Sequence, residues 1–153
     1  MNWRFCEGDL DSADVQALIA EHVGGMAPHS PPESIHALMA DGLRAPGITF
    51  WSMRDGDALV GMGALKAIDA KHAEIKSMRT VADRRCQGAG AAMLMHLIEQ
   101  ARTRDFKRLS LETGAADFFA PARALYAKAG FIECAPFEGY CEDRYSVFMT
   151  MDV

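Results

Sequence analysis

The hydrophobic pattern changes period in the middle of the chain. From His72 to Lys76, apolar Ala73 and Ile75 alternate with polar His72, Glu74 and Lys76, and the extended reading carries on to Val81. Leu94, Leu97, Ile98 and Ala101 instead recur at the spacing of one helix face. Arg85-Cys-Gln-Gly-Ala-Gly90 lies between the two. The middle of the chain therefore predicts a strand, a glycine turn and a helix from Gly90 to Thr103.

Trp3 and Phe5 alternate with Asn2, Arg4 and Cys6, a first strand that ends at Gly8-Asp9. Asp11 or Ser12 can cap a helix carrying Val15, Leu18, Ile19 and Val23, with Gly24-Gly25 as its stop. Ser30-Pro-Pro-Glu33 reads as a capping box, and a second helix is expected to present Ile35, Leu38, Met39 and Leu43 on one face. Strands at 48–53 and 58–68 form a hairpin on Arg54-Asp-Gly-Asp57, and the strand from His72 makes a third antiparallel member. Arg108 to Thr113 alternates as a strand after the central helix, so that strand-helix-strand unit should be parallel and right-handed. A helix from Phe118 to Lys128 has Pro121 in its first turn and Gly130 as its stop, and strands follow at 131–134 and 145–151.

The class is α/β (α+β), a mixed sheet of about six to seven strands flanked by about four helices. Residues 1–153 make one domain, since half of the residues are hydrophobic and no linker, repeat or low-complexity stretch interrupts them. The formal charge of −5, without a run of Lys or Arg, argues against nucleic acid or an anionic membrane as partner. A cationic amine is compatible with it. Cys6, Cys86, Cys134 and Cys141 form no C-x-x-C pair and no zinc-ligand spacing, and the five histidines form no metal-spaced cluster. No metal is expected. With no signal peptide and no membrane-length apolar run, the sequence reads as a cytoplasmic protein with reduced thiols.

The glycine turn has the chemistry of anion capture. Gly88 and Gly90 let the backbone approach a ligand while the first amides of the helix point outward unpaired. Arg84, Arg85 and Gln87 add donors suited to phosphate oxygens. The dinucleotide fingerprint is incomplete, lacking its third glycine and its acidic residue, and a P-loop would need Gly-Lys-Ser/Thr.

What fits is Arg/Gln-x-x-Gly-x-Gly/Ala, present as Arg85-Cys-Gln-Gly88-Ala-Gly90. The chain resembles the GCN5-related N-acetyltransferase (GNAT) family, in a bacterial branch, and a second stretch in the right order, Leu125-Tyr126-Ala-Lys128-Ala-Gly130-Phe131, strengthens the likeness. The resemblance covers Ile48 to Val153 well and the first two helices by arrangement. It implies the acyl-CoA N-acyltransferase fold, acetyl-CoA as co-substrate, and direct attack by a primary amine of a small molecule or peptide. By the same resemblance, Arg85, Cys86, Gln87, Gly88, Ala89, Gly90 and Ala91 would hold the pyrophosphate. Backbone donors of Met78, Arg79 and Thr80 would receive the thioester carbonyl. The family also allows a homodimer through its last strands.

An alkylammonium has a pKa of about 10.4, so a group or water must take a proton before the nitrogen can attack. Glu74 stands eleven positions before Arg85, the spacing of the glutamate base in histone-acetylating members of the family. An ion pair with Lys76 or Lys71 is the alternative role for it, and a relay through His72 is a further one. Tyr126 matches the family tyrosine that assists the leaving thiolate, or else packs its helix on the sheet. Arg79 would pair an acceptor carboxylate or a surface acid, and a strand bulge would decide its face. A CoA-binding sensor or scaffold without chemistry is the rival to an enzyme.

Overall fold

A computed structural model describes residues 2–153. Among them a seven-stranded sheet runs in the order β1-β2-β3-β4-β5-β7-β6. Its strands are β1 (Arg4–Glu7), β2 (Ile48–Asp55), β3 (Ala58–Ala67), β4 (His72–Thr80), β5 (Arg108–Gly114), β6 (Ile132–Cys134) and β7 (Ser146–Asp152). Helices α1 (Ala13–Met26), α2 (Ala40–Leu43), α3 (Ala89–Thr103) and α4 (Ala120–Ala129) flank it. Every strand pair is antiparallel except β4 with β5, the pair that the α3 crossover joins. The mixed sheet, the helix count and the parallel central unit agree with the hydrophobic pattern.

The strand alternation feeds two cores. Trp51, Met53, Leu65, Ala73 and Ile75 pack with Met93, Leu94, Leu97 and Ile98 of α3, joined by Leu109, Leu111, Tyr126 and Phe131. On the other face Phe50, Met62 and Ala64 meet Val15, Leu18 and Ile19 of α1. Each Leu or Ile so buried contributes about 1.5–3 kcal/mol, which is how two apolar stripes clamp one sheet. Arg54, expected to sit in a hairpin turn, also holds α1 in place. Its guanidinium donates to Asp9 at 2.9 Å and to both carboxylate oxygens of Asp14 at 2.8 and 2.9 Å.

Two sequence expectations fail on the α1 side of the sheet. α1 does not stop at Gly24-Gly25 but continues to Met26, because Gly25 packs against the Arg79 guanidinium rather than turning the chain. The second helix does not form. Pro32–Ser34 makes one 3₁₀ turn, Ile35 leaves it at φ −98° and ψ 111°, and helix returns only at α2. The capping box is overridden by tertiary bonds: the Ser34 hydroxyl donates to Asp143, and His36 reaches Glu112 on β5. Leu43 still buries in the α1 core as the pattern requires, but Met39 is exposed.

Candidate active site

The site follows from a defect in the sheet. β4 and β5 stay paired only from His72–Arg108 to Ile75–Leu111, after which β4 continues along β3 and β5 along β7. In the β3–β4 ladder Ala64 faces Lys76 but Met62 faces Arg79, so β4 carries one residue too many there. Ser77 absorbs it with φ at +54°. The bulge turns β4 away from β5 and opens a cleft of about 340 Å³ through the sheet. Glu74 reaches this cleft from the α1 face, and Tyr126 reaches it from the α3 face.

At the mouth of the cleft the chain leaves β4 through a 3₁₀ turn at Ala82–Arg84 and enters α3. Gly88 caps α3 at φ +86°, where a side chain would be strained although the space around it is open. The first bond of the helix runs from the Ala92 amide to the Gly88 carbonyl at 3.0 Å, which leaves the amides of Ala89, Gly90 and Ala91 without a partner inside the helix. Cys86 has φ +61°, a left-handed conformation that glycine would adopt at less cost. Arg85, Cys86 and Gln87 are exposed, Arg85 lines the cleft, and Arg84 is drawn off by Asp55 at 3.0 Å. Thr80 ends β4 with its hydroxyl beside Gly90.

Glu74 is 1% exposed. Its Oε2 accepts the Tyr140 hydroxyl at 2.8 Å and the Lys76 ammonium at 3.3 Å, while Lys76 also donates to the Tyr140 oxygen at 3.0 Å. Burial, and then the Glu74 charge, push the Tyr140 phenol well above its ordinary range, so this hydroxyl stays protonated and donates. Among the described residues, Oε1 of Glu74 is buried with no partner. Three more cleft atoms share that condition, namely Ser77 Oγ, Arg79 Nε and His22 Nδ1. A buried polar atom left unmatched costs about 1–3 kcal/mol, so four of them around one cleft mark where a polar ligand belongs.

Tyr126 is 7% exposed, stands edge-on to Phe131 with ring centres 5.9 Å apart, and lines the cleft. Burial pushes its phenol up to about 12, so it is a proton donor across the working pH range. Arg79 lines the cleft but already donates to Glu21 of α1 at 3.0 Å, the surface-acid alternative. His22, beside Arg79, is pushed down to about 4 by burial and by the Arg79 charge. Met78 forms part of the wall.

Glu74, Tyr126 and Arg85 of the turn line one cleft, and the ion pair of Glu74 with Lys76 is present. The His72 relay is not assembled: His72 Nε2 binds the Ser110 hydroxyl at 2.6 Å, and that hydroxyl meets Thr150 at 2.9 Å. Sequence reasoning did not foresee two contacts: Tyr140, an aromatic of the loop before β7, donates to Glu74, and His36 pairs with Glu112, both of which line the cleft. The signal for Glu112 was its place on β5 two residues past Ser110, on the face opposite Leu111.

The comparisons with known proteins come to the same place. The model of the acetyltransferase (GNAT) family matches residues 15–131. An uncharacterised N-acetyltransferase of Bacillus subtilis, YsnE, is 53% identical over 142 residues, 93% of this chain and 94% of that one. Another of Escherichia coli, YedL, is 46% identical over 143 residues, 94% of this chain and 90% of that one. A GNAT family acetyltransferase from Elizabethkingia anophelis, solved with acetyl-CoA bound, has a TM-score of 0.73 at 17% identity over 99% of each chain, a likeness of fold.

Proposed function

The chain belongs to the acetyltransferase (GNAT) family and is an N-acetyltransferase, and from that premise we propose that it moves an acetyl group from acetyl-CoA to a primary amine of a small molecule or peptide by direct attack. The observation that carries this reading is one cleft lined by Arg85, on the turn that leads into the unpaired amides of α3, with an unpartnered carboxylate oxygen inside it. A diphosphate suits the first and an amine the second.

The residues present fit acetyl-CoA. Amides of Gly88, Ala89, Gly90 and Ala91, with Arg85, Cys86 and Gln87 around them, would hold the pyrophosphate, and Met78, Arg79 and Thr80 would line the thioester end. Acetyl-CoA supplies an acetyl group already activated as a thioester. Oε1 of Glu74 receives the acceptor N–H and takes the proton that the nitrogen sheds as it bonds to the carbonyl carbon. Lys76 and Tyr140 hold the other oxygen still, so the carboxylate is oriented before the amine arrives. The neutral Tyr126 phenol hydrogen-bonds the thiolate as the C–S bond breaks. The cytoplasm, with its reduced thiols, is the compartment we assign to it, and a homodimer paired through the last strands is to be tested by sedimentation.

The deciding experiment is calorimetric titration with acetyl-CoA, with dephospho-CoA and NADH as controls, followed by an amine panel scored by thiol release. Saturable binding of acetyl-CoA with amine-dependent thiol release is the expected result. Folded protein that binds no acetyl-CoA would overturn the assignment of the loop.

A further inference from the structure

The cleft holds a second acid–base pair that the reading above leaves idle. His36 Nδ1 lies 2.7 and 2.8 Å from the two carboxylate oxygens of Glu112. A carboxylate only accepts, so Nδ1 carries the hydrogen, which leaves Nε2 as the ring nitrogen free for another partner. Both residues line the same cleft as Glu74. The His36 ring lies 4.9 Å from the ring of Tyr140, whose hydroxyl donates to Glu74. The fold gives up its second predicted helix to make this contact, because the chain leaves helical conformation at Ile35 and crosses to β5.

Proton balance gives the pair a task. An ammonium ion that becomes an amide loses two protons: one before the lone pair can attack, one after the N–C bond forms. The C–S bond breaks and the thiolate takes one of them, and the other must leave to water. Glu74 is sealed from solvent at 1% exposure, and one of its oxygens is already committed to Lys76 and Tyr140. The His36 side chain is 34% exposed and opens to water.

We propose that His36, its ring fixed by Glu112, takes the first proton from the acceptor ammonium and passes it to solvent, delivering a neutral amine to Glu74. This rests on the acetyl-transfer reading. Glu112 is a positioning residue: it sets the tautomer and stabilises the imidazolium that forms. The charged and titratable groups facing His36 are Glu112 from β5, Tyr140 and Asp143 from the loop before β7, and beyond Tyr140 the Glu74–Lys76 pair of β4.

The test compares wild type with His36→Gln and Glu112→Gln, using a primary alkylamine from the panel as acceptor. Calorimetry should show acetyl-CoA binding unchanged in both variants. At pH 7, His36→Gln should lose on the order of 10²-fold in kcat/KM. The gap should close as pH climbs toward the pKa of the amine, about 10.4, because the acceptor then arrives neutral. A pH profile parallel to wild type, or no loss at pH 7, would overturn the role. Nitrogen NMR of labelled histidine tests the geometry without any acceptor. The Nδ1–H tautomer is expected for His36 and should be lost in Glu112→Gln, whereas an Nε2–H tautomer in wild type sinks the proposal. Wild type that binds acetyl-CoA yet acetylates no amine would instead remove the transfer reading beneath it.

Discussion

Glu74 and Tyr126 face the same cleft from opposite sides of the sheet, and the surroundings of each bear on the role proposed for it. Burial keeps the Tyr126 phenol protonated, so the residue can donate to a thiolate but cannot act as a base. Tyr126→Phe should therefore lower kcat by about 10–100-fold with little change in acetyl-CoA affinity. Steady-state kinetics beside calorimetry checks this, and a matching loss of affinity would make the residue structural. Glu74→Gln removes the charge that Lys76 answers, as well as the proposed proton acceptor. It should lower kcat/KM by about 10²–10⁴-fold and alter the pH–rate profile; an unchanged profile would exclude Glu74 as the base. What the sequence could not decide was whether Glu74 pairs with Lys76 or receives substrate. With one oxygen paired and the other bare, the side chain is equipped for both.

Elements set the site through irregularity. The bulge at Ser77 stores strain of about 1–3 kcal/mol, and the opened cleft is what that strain maintains. At the other end, Gly88 starts α3 from a left-handed conformation in open space. Gly88→Ala should cost about 1 kcal/mol in stability from backbone strain alone. The same change should weaken acetyl-CoA binding by more than that loss of stability explains, because the new methyl stands where the backbone meets the ligand. Urea unfolding and calorimetry on one preparation separate the two effects, and unchanged affinity would move the pyrophosphate elsewhere. The turn was legible in the sequence because glycine spacing is local. The bulge was not, because Ser77 carries no mark of positive φ, and the register of β3 against β4 decides it.

For the molecule as a whole, pH sensitivity lies where α1 meets the sheet. His22 is held at about 4 against an ordinary 6.5, so between those values the unfolded chain binds a proton that the folded one declines. Stability should fall as pH drops through that window, by on the order of 3 kcal/mol in total, and this contribution levels off below it. Hydrogen bonds from Arg54 hold Asp14 below its ordinary 3.8, so the stability it adds is present above that value and is lost as pH falls further. Urea midpoints from pH 7 to pH 3 for wild type and His22→Gln check both: the variant should lose the His22 share of the upper decline, the rest belonging to His72 and His96, which burial also holds below the ordinary range, and keep the lower one. Identical curves would mean that His22 titrates normally. Among the described residues no helix is long and apolar enough to cross a membrane.

The sequence by itself determined the order and type of most elements and the glycine turn before α3, and it singled out Glu74 and Tyr126 as candidates. All of these are properties of short segments: a period of two or 3.6, and a glycine pair. Tertiary structure decided which groups act on one another. Tyr140 meets Glu74 across 66 residues, and His36 meets Glu112 across 76. The second helix failed for the same reason, since its local capping signal lost to bonds made from Ser34 and His36 to distant strands and loops. A hydrogen bond to a remote carboxylate depends on how the chain closes, and no periodicity within a segment encodes that closure.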